Sequence, residues 1–548
     1  MASLTAPITV EGTRRPRLAL ATLSLVLFLT FMDNTVVSVI LSDIQTSLHT
    51  GVSGLQWVVS AYALVFASLM LPAGAVSDFL GRKKVMLTGV AVFCAGSVLG
   101  ALAPNVTVLW AARGIMGLGA AASEPGTLSM IRHLYTDRAE RAQAIGVWAA
   151  VSGLALAAGP VIGGMLVGVW SWRAVFWFNL FFGALAFLGS LVILPENSDP
   201  QAGGFDYLGF LLGATALACA TFATIAGESA GYRAWWIDVL YAGAVVTFAA
   251  FVAVEKRARN PMLDVRFFRL SAFSASTFIA FASYFGVFSI FFLVSLYLEI
   301  VGSQSGYSIA VDFLPMAGGL IIASTFAGRW VAHMGARIPM AVGCALGTAG
   351  IVLTDLFLTP HSGPATLGWT LTIAGVGFGV AIVAVTSTAL SSMPPEHSGV
   401  AASTTNTSRE LGAVGGVAVL GSVMNGQLTV DLSRRLTHLC LLSSHGHCVL
   451  YASKFKGLII TAVTTGNLSA QAEVASKNRS LAPIIHKVIG AAYGAVGHGL
   501  DVSLAIAASL MALSVIVALV WVRRATPRQA VEFGLVPIEV PVEANAER

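Results

Sequence analysis

Runs of about twenty apolar residues, separated by short polar stretches, recur along nearly the whole chain. A helix needs about 20 mostly apolar residues to cross the hydrocarbon core of a bilayer. Such runs lie near 18–41, 55–76, 85–103, 106–131, 143–168, 173–194, 205–225, 237–254, 272–298, 308–328, 339–358, 366–390, 400–424 and 500–522. The pattern predicts fourteen spanning helices. One long polar segment, 425–499, interrupts the series. Its weakly apolar stretch LYASKFKGLIITAVTTG is broken by Lys454 and Lys456 and reads as an amphipathic patch, not a fifteenth span.

Composition changes the picture only by removing alternatives. Of 548 residues, 56% are apolar and 10% charged, against about 25% charged in soluble domains. With a mean hydropathy of +0.81, lipid is the expected solvent. The net charge of +5 does not point to nucleic acid, because the cations sit in loops. Twenty of the 31 Lys and Arg residues fall on the side that holds both termini, and only Arg173 and Arg233 in the short loops of the other side. By the positive-inside rule both termini are expected in the cytoplasm and segment 425–499 outside. The amino-terminal TRRPRLAL faintly resembles a twin-arginine signal. The run behind it is too long for a signal core, lacks a cleavage site and contains Asp33, so it reads as an uncleaved first span.

Cys94, Cys219 and Cys344 lie in apolar runs, where a thiol behaves as a small hydrophobe. Cys440 and Cys448, eight apart in the outer segment, either form a disulfide or remain two free thiols. No metal, nucleotide or dinucleotide motif is present, so no cofactor is expected.

Charges inside the spans carry the functional signal, since each one near the bilayer centre costs about 2.5–3.5 kcal/mol or more. The fourth run, VLWAARGIMGLGAAASEPGTLSMI, holds Arg113 and Glu124. Eleven residues are nearly three turns, which puts both on one face about 16 Å apart. Asp33 lies deep in the first run, and a carboxyl kept out of water is suited to carrying a proton. The thirteenth run contributes Arg409 and Glu410, which as helix neighbours point about 100° apart and cannot pair face to face. Asp312, read as opening the tenth helix, is expected to partner its N-terminal dipole. Between the second and third runs, GAVSDFLGRKKVM sets Gly74 and Gly81 to allow a tight turn, with Asp78 facing Arg82 and the next helix's amino end. The fifth run contains GLALAAGPVIGG, whose Gly159, Gly163 and Gly164 permit close packing and whose Pro160 permits a kink.

These segments resemble the motifs of the major facilitator superfamily. The spacing G-x-x-x-D-x-x-G-R-K resembles its signature loop, with Val76 for the usual Leu and Phe79 for a usual basic residue. The fourth run resembles the motif whose arginine the family links to proton coupling, with Met116 for the usual Gln. The run G-P-x-x-G-G resembles the antiporter motif, with Ala155 at a position often glycine, and implies export. The stretch DNTVVSVIL resembles the first-helix motif of the fourteen-helix drug:proton antiporters, with Ser38 and Ser42 for the usual Asn and Pro. SWRAVFWFNLFFG, FDYLG, NPMLDVRFFR and AASTTNTSRELGAVGGVAVLGSV also match the family, so the resemblance covers residues 20–425 and the last helix.

The fold this implies is all-α and polytopic: two six-helix bundles related by pseudo-symmetry, with two inserted helices. Its expected divisions are a cytoplasmic N-terminal segment (1–17), a first bundle (18–195), the inserted helices with a cytoplasmic linker (196–270), a second bundle (271–524) including outer loop 425–499, and a cytoplasmic tail (525–548). The implied activity is proton-coupled export of small amphipathic or cationic compounds from the cell membrane, by a monomer whose partners are substrate, protons and lipid. Asp33 and Glu124 are expected to bind the proton or attract a cationic substrate, with Arg113 adjusting their proton affinity and Arg409 in the same set. Asp78 and Arg82 are expected to latch one closed state. The rivals are a metabolite or nutrient importer on the same fold, disfavoured by GPVIGG, and a membrane transferase, whose polar cluster would have to come from His438, His445 and His447.

Overall fold

The structure is a computed structural model that describes residues 16–50, 52–196, 206–258, 263, 265–302, 304, 306–393, 398–441 and 482–522. The described residues form fourteen long α-helices: α1 (Pro16–Leu48), α2 (Val52–Leu80), α3 (Arg82–Ala101), α4 (Val106–Leu134), α5 (Arg138–Val169), α6 (Arg173–Ile193), α7 (Tyr207–Ala230), α8 (Trp235–Glu255), α9 (Ser271–Ile300), α10 (Gly306–Met334), α11 (Arg337–Phe357), α12 (Pro364–Ser391), α13 (Ser398–Leu441) and α14 (Ala482–Trp521). Thirteen of them are long and apolar enough to cross a bilayer. The other, α5, is rich in Ala and Gly and packs between α1 and α10. A helix satisfies its own backbone polar groups, which lipid cannot do. Polar side chains hold several helix starts: Asn105 accepts from Val108 N (3.0 Å), and Asp137 from Ala139 N and Glu140 N (both 2.9 Å).

Helices α1–α6 and α9–α14 repeat one packing scheme. The pairs α1–α5, α2–α4, α3–α4 and α3–α6 recur as α9–α13, α10–α12, α11–α12 and α11–α14. The seam between the two sets repeats as well, with α5 on α10 and α2 on α13. Glycine makes the closest approaches equivalent: a Cβ on Gly89 would sit 2.7 Å from Gly119 O, and one on Gly343 2.9 Å from Gly377 O. The α7–α8 pair leans on α2 and α13. Only 17% of the spanning part of α8 is buried, against 83% for α12. The inserted pair therefore lies on the periphery and α12 in the interior.

Three expectations need correction. Gly74 is inside α2, not in a turn; Gly81 alone makes the α2–α3 corner, at φ 107°, a conformation a side chain would oppose. The expected outer segment 425–499 is helical at both ends, because α13 continues to Leu441 and α14 starts at Ala482. The two extensions remain packed: Leu428, Leu432, Ala492, Ala495 and Val496 share one buried cluster, and Asp431 pairs with Arg435 at 2.8 Å. Hydropathy marks only the part that needs lipid, so it missed these amphipathic turns. Asp312 does not open α10 but lies within it, 2% exposed. His438 and Cys440 fall in the last turns of α13, whereas Cys448, and with it the Cys440–Cys448 pairing, His445, His447 and both chain ends lie outside the described residues.

Candidate functional site

The expected charges are gathered in the interior, but into two linked groups. In the first, Asp33 of α1 forms an ion pair with Arg113 of α4, and both are buried. Asn179 of α6 donates to the other Asp33 oxygen at 2.7 Å. Arg113 also donates to Val58 O of α2 (2.9 Å) and lies over the Tyr62 ring, 4.5 Å from its centroid. An ion pair out of water persists only when further bonds complete it, and these contacts do so.

In the second group, Glu124 of α4 accepts from the Thr30 hydroxyl at 3.4 Å and from the Asn406 amide of α13 at 3.2 Å. Arg409 donates to Asn406 Oδ1 (2.9 Å) and to the Thr386 hydroxyl of α12. Its guanidinium lies 5.3 Å from the Trp148 ring of α5 and 5.4 Å from that of Tyr284 of α9. Glu410 is buried too, one position on. Tyr62 joins the two groups by donating to Thr30 O at 3.3 Å. Thus Arg113 holds Asp33, whereas Glu124 is reached by Asn406 and, through it, Arg409. Among the described residues no cation forms an ion pair with Glu124. One hydrogen bond and one cation–ring contact here cross the seam: Asn406 to Glu124, and Arg409 to the Trp148 ring.

The small residues of α5 set the position of α1. A Cβ on Gly159 would lie 3.0 Å from both Met32 O and Thr35 Cβ, and one on Gly163 would lie 2.9 Å from Val36 Cγ2. Asp33 sits between those contacts, so the glycines of α5 place the carboxyl. Gly164 is exposed, and α5 continues through position 160.

At the end of the molecule where α2 meets α3, Arg82 binds Asp78 Oδ1 through Nε (3.0 Å) and Nη2 (2.9 Å). The other oxygen, Oδ2, accepts from Val400 N at 3.1 Å. Asp78 thus faces the amino end of α13 across the seam as well as Arg82, the first residue of α3. Arg132, at the end of α4, adds a second bridge by donating to Leu390 O and to Met393 O (2.6 Å) beyond α12.

A sequence profile of the Major Facilitator Superfamily matches residues 23–417. The chain belongs to the major facilitator superfamily. Among superfamily relatives, the multidrug resistance protein Stp of Mycobacterium tuberculosis is 33% identical over 423 residues, 77% of this chain and 78% of that protein. The methylenomycin A resistance protein of Bacillus subtilis is 33% identical over 410 residues, covering 74% and 87%. The crystal structure of the human organic anion transporter MFSD10 (TETRAN) aligns with a TM-score of 0.58 at 17% identity, over 82% of this chain and 99% of that one. It shares the superfamily fold. The protein is a multi-pass membrane transporter of all-α architecture.

Sequence reasoning did not single out Thr30, Tyr62, Trp148, Asn179, Tyr284, Thr386 or Asn406. Asn179 and Asn406 stood inside the quoted segments, and an amide in a membrane helix was the available signal.

Proposed function

We propose that this protein exports small amphipathic or cationic compounds in exchange for protons, by alternating access between halves 18–195 and 271–524. It works as a monomer in the cell membrane with both termini in the cytoplasm. The names of its relatives, which speak of multidrug and methylenomycin A resistance, support efflux as the direction. Glu124 carries the proton, and the observation behind that assignment is its bond to Asn406. A buried carboxylate without an ion pair is costly, and this one is hydrogen-bonded to the opposite half, so rocking of the halves alters its surroundings. Asp33, held by Arg113 and Asn179, keeps the ion pair that orients α1 and α4.

For a neutral compound the energetics close at a membrane potential of about 120 mV. One proton moving inward supplies about 2.3 kcal/mol per 100 mV, and a hundredfold gradient of a neutral compound requires about 2.7 kcal/mol. The test uses everted vesicles and a fluorescent cationic dye, with proton release read as substrate is added. Glu124→Gln is expected to bind dye but release no protons. Full coupling in that variant would refute the assignment, and dye movement only in the opposite direction would favour an importer.

A further inference from the structure

A cavity of about 830 Å³ lies away from the central charges, between α2, α8, the linker and the second and third turns of α9 and α13. Its wall carries three cations, Lys256, Arg266 and Arg269. Glu255, next to Lys256, turns its carboxylate to the Leu263 amide (3.3 Å). On the inner side are Thr404 and Thr407 of α13, 6% and 5% exposed, whose hydroxyl oxygens are buried with no hydrogen-bond partner among the described residues. Buried hydroxyls ordinarily find a partner, and both threonines line the same cavity as the cations. The rest of the wall is apolar: Leu71 and Phe251 lie inward, and Phe248 and Phe268 are 58% and 40% exposed at the rim, where the peripheral α8 meets lipid.

We propose that this cavity binds the headgroup of an anionic phospholipid, in the leaflet that holds the α2–α3 corner. The phosphodiester would sit among the three cations and accept from the two threonine hydroxyls, while its acyl chains follow Phe248 and Phe268 into the bilayer. Basic pockets between spanning helices suit such headgroups, whereas three cations oppose the cationic compounds proposed as cargo. The placement also carries a consequence for the seam. Phe251 and Leu263 share one buried cluster with Val400, the residue whose amide Asp78 holds. A bound lipid therefore ties the inserted helices and linker to α13 beside that contact.

The test is lipid retention by the purified full-length protein in native mass spectrometry, with phosphatidylglycerol and phosphatidylcholine as probes. Retention of one phosphatidylglycerol, and not of phosphatidylcholine, is expected. The K256Q/R266Q/R269Q variant is expected to bind it about a hundredfold more weakly, as three juxtamembrane cations would imply. R266K/R269K, which keeps the charge, retains it, so that loss in the first variant is separated from misfolding. Excess inorganic phosphate is expected to leave the lipid in place. Equal retention of the two lipids, unchanged binding in the triple variant, or displacement by phosphate would each overturn the proposal. The readout does not involve transport, so it stands apart from the test of proton coupling.

Discussion

Replacing Asp78 with Asn should open the seam at the α2–α3 end. The carboxylate serves two masters: Oδ1 receives both Arg82 bonds, and Oδ2 receives the Val400 amide of α13. Asparagine offers a single acceptor oxygen. It can satisfy Arg82 or Val400 but not both, and its NH2 group turned toward either donor is repulsive. Hydrogen bonds to charged groups contribute about 1.5–3 kcal/mol each. Val400 lies in the first turn of α13, where backbone N–H groups lack helix partners, so its amide depends on an acceptor such as Asp78 from outside its own helix. If the bond exists only in the closed arrangement, its loss shifts the closed-to-open ratio by about 10- to 150-fold at 1.4 kcal/mol per decade.

Arg132 provides an internal control. Its bonds to Leu390 O and Met393 O also cross the seam, but they share no partner with Asp78. Independent contacts add, so Asp78→Asn and Arg132→Gln together should shift the equilibrium by roughly the sum of the two free energies. The assay is double electron–electron resonance between spin labels at Leu80 and Ser391, positions exposed at the ends of α2 and α12. Each single variant should enlarge the long-distance population and the double variant should make it dominant. An unchanged distance distribution in Asp78→Asn would refute the reasoning, because the Asp78–Val400 bond would then not hold the two halves together.

The ion pair gives a separate prediction. Asp33→Asn or Arg113→Gln alone leaves one buried charge unpaired and should lower stability by about 3–5 kcal/mol, whereas the double variant should recover much of the melting temperature; if it also recovers transport, the pair is only a structural lock. Gly119→Ala and Gly377→Ala, at equivalent close approaches in the two halves, should each cost about 1–3 kcal/mol through overpacking, and an unchanged Tm in detergent would contradict the packing described. Gly159→Val should press on α1 at Met32 and Thr35 and reduce dye efflux, while Gly164→Ala, at an exposed position, should leave efflux unaltered; equal loss in both would show that the α5–α1 contact does not set the site.

Much of the fold was legible because lipid imposes a length on every span, and fourteen runs of that length gave fourteen helices. The ionisable residues were legible for a related reason: Asp33, Arg113, Glu124 and Arg409 are expensive in hydrocarbon, and all four are buried. Their partners were not. Helical spacing placed Arg113 and Glu124 on one face, but spacing within α4 does not say that α1 brings Asp33 to the arginine while α13 brings Asn406 to the glutamate. Uncharged groups such as Thr30 and Thr386 leave little trace in sequence, because a hydroxyl in a helix can bond its own backbone. The Asp78 contact was half legible: i to i+4 spacing predicted Arg82, but Val400 is 322 residues away. The ends of α13 and α14 were misread because hydropathy ceases to report where a helix leaves lipid and packs on another helix.

On the proposed reading, coupling needs a group whose proton affinity differs between the two arrangements, since a ligand shifts an equilibrium only by its differential affinity for the two states. The geometry separates the two carboxyls on this point. Every partner of Asp33 comes from the first half: Arg113 on α4 and Asn179 on α6. Rigid rocking leaves that set intact, so Asp33 has the same surroundings on both sides of the cycle. Glu124 takes one bond from its own half, Thr30, and one from the other, Asn406. Moving α13 away removes the Asn406 donor and with it the link to Arg409. Arg409 and Glu410 travel with α13 as well, so opening at the seam changes the surroundings of Glu124 while leaving those of Asp33 as they are. The latches at Asp78 and Arg132 and the Glu124–Asn406 bond therefore belong to one arrangement of the halves. A variant that loosens the latches should retain proton binding at Glu124 but lose its strict exchange for substrate.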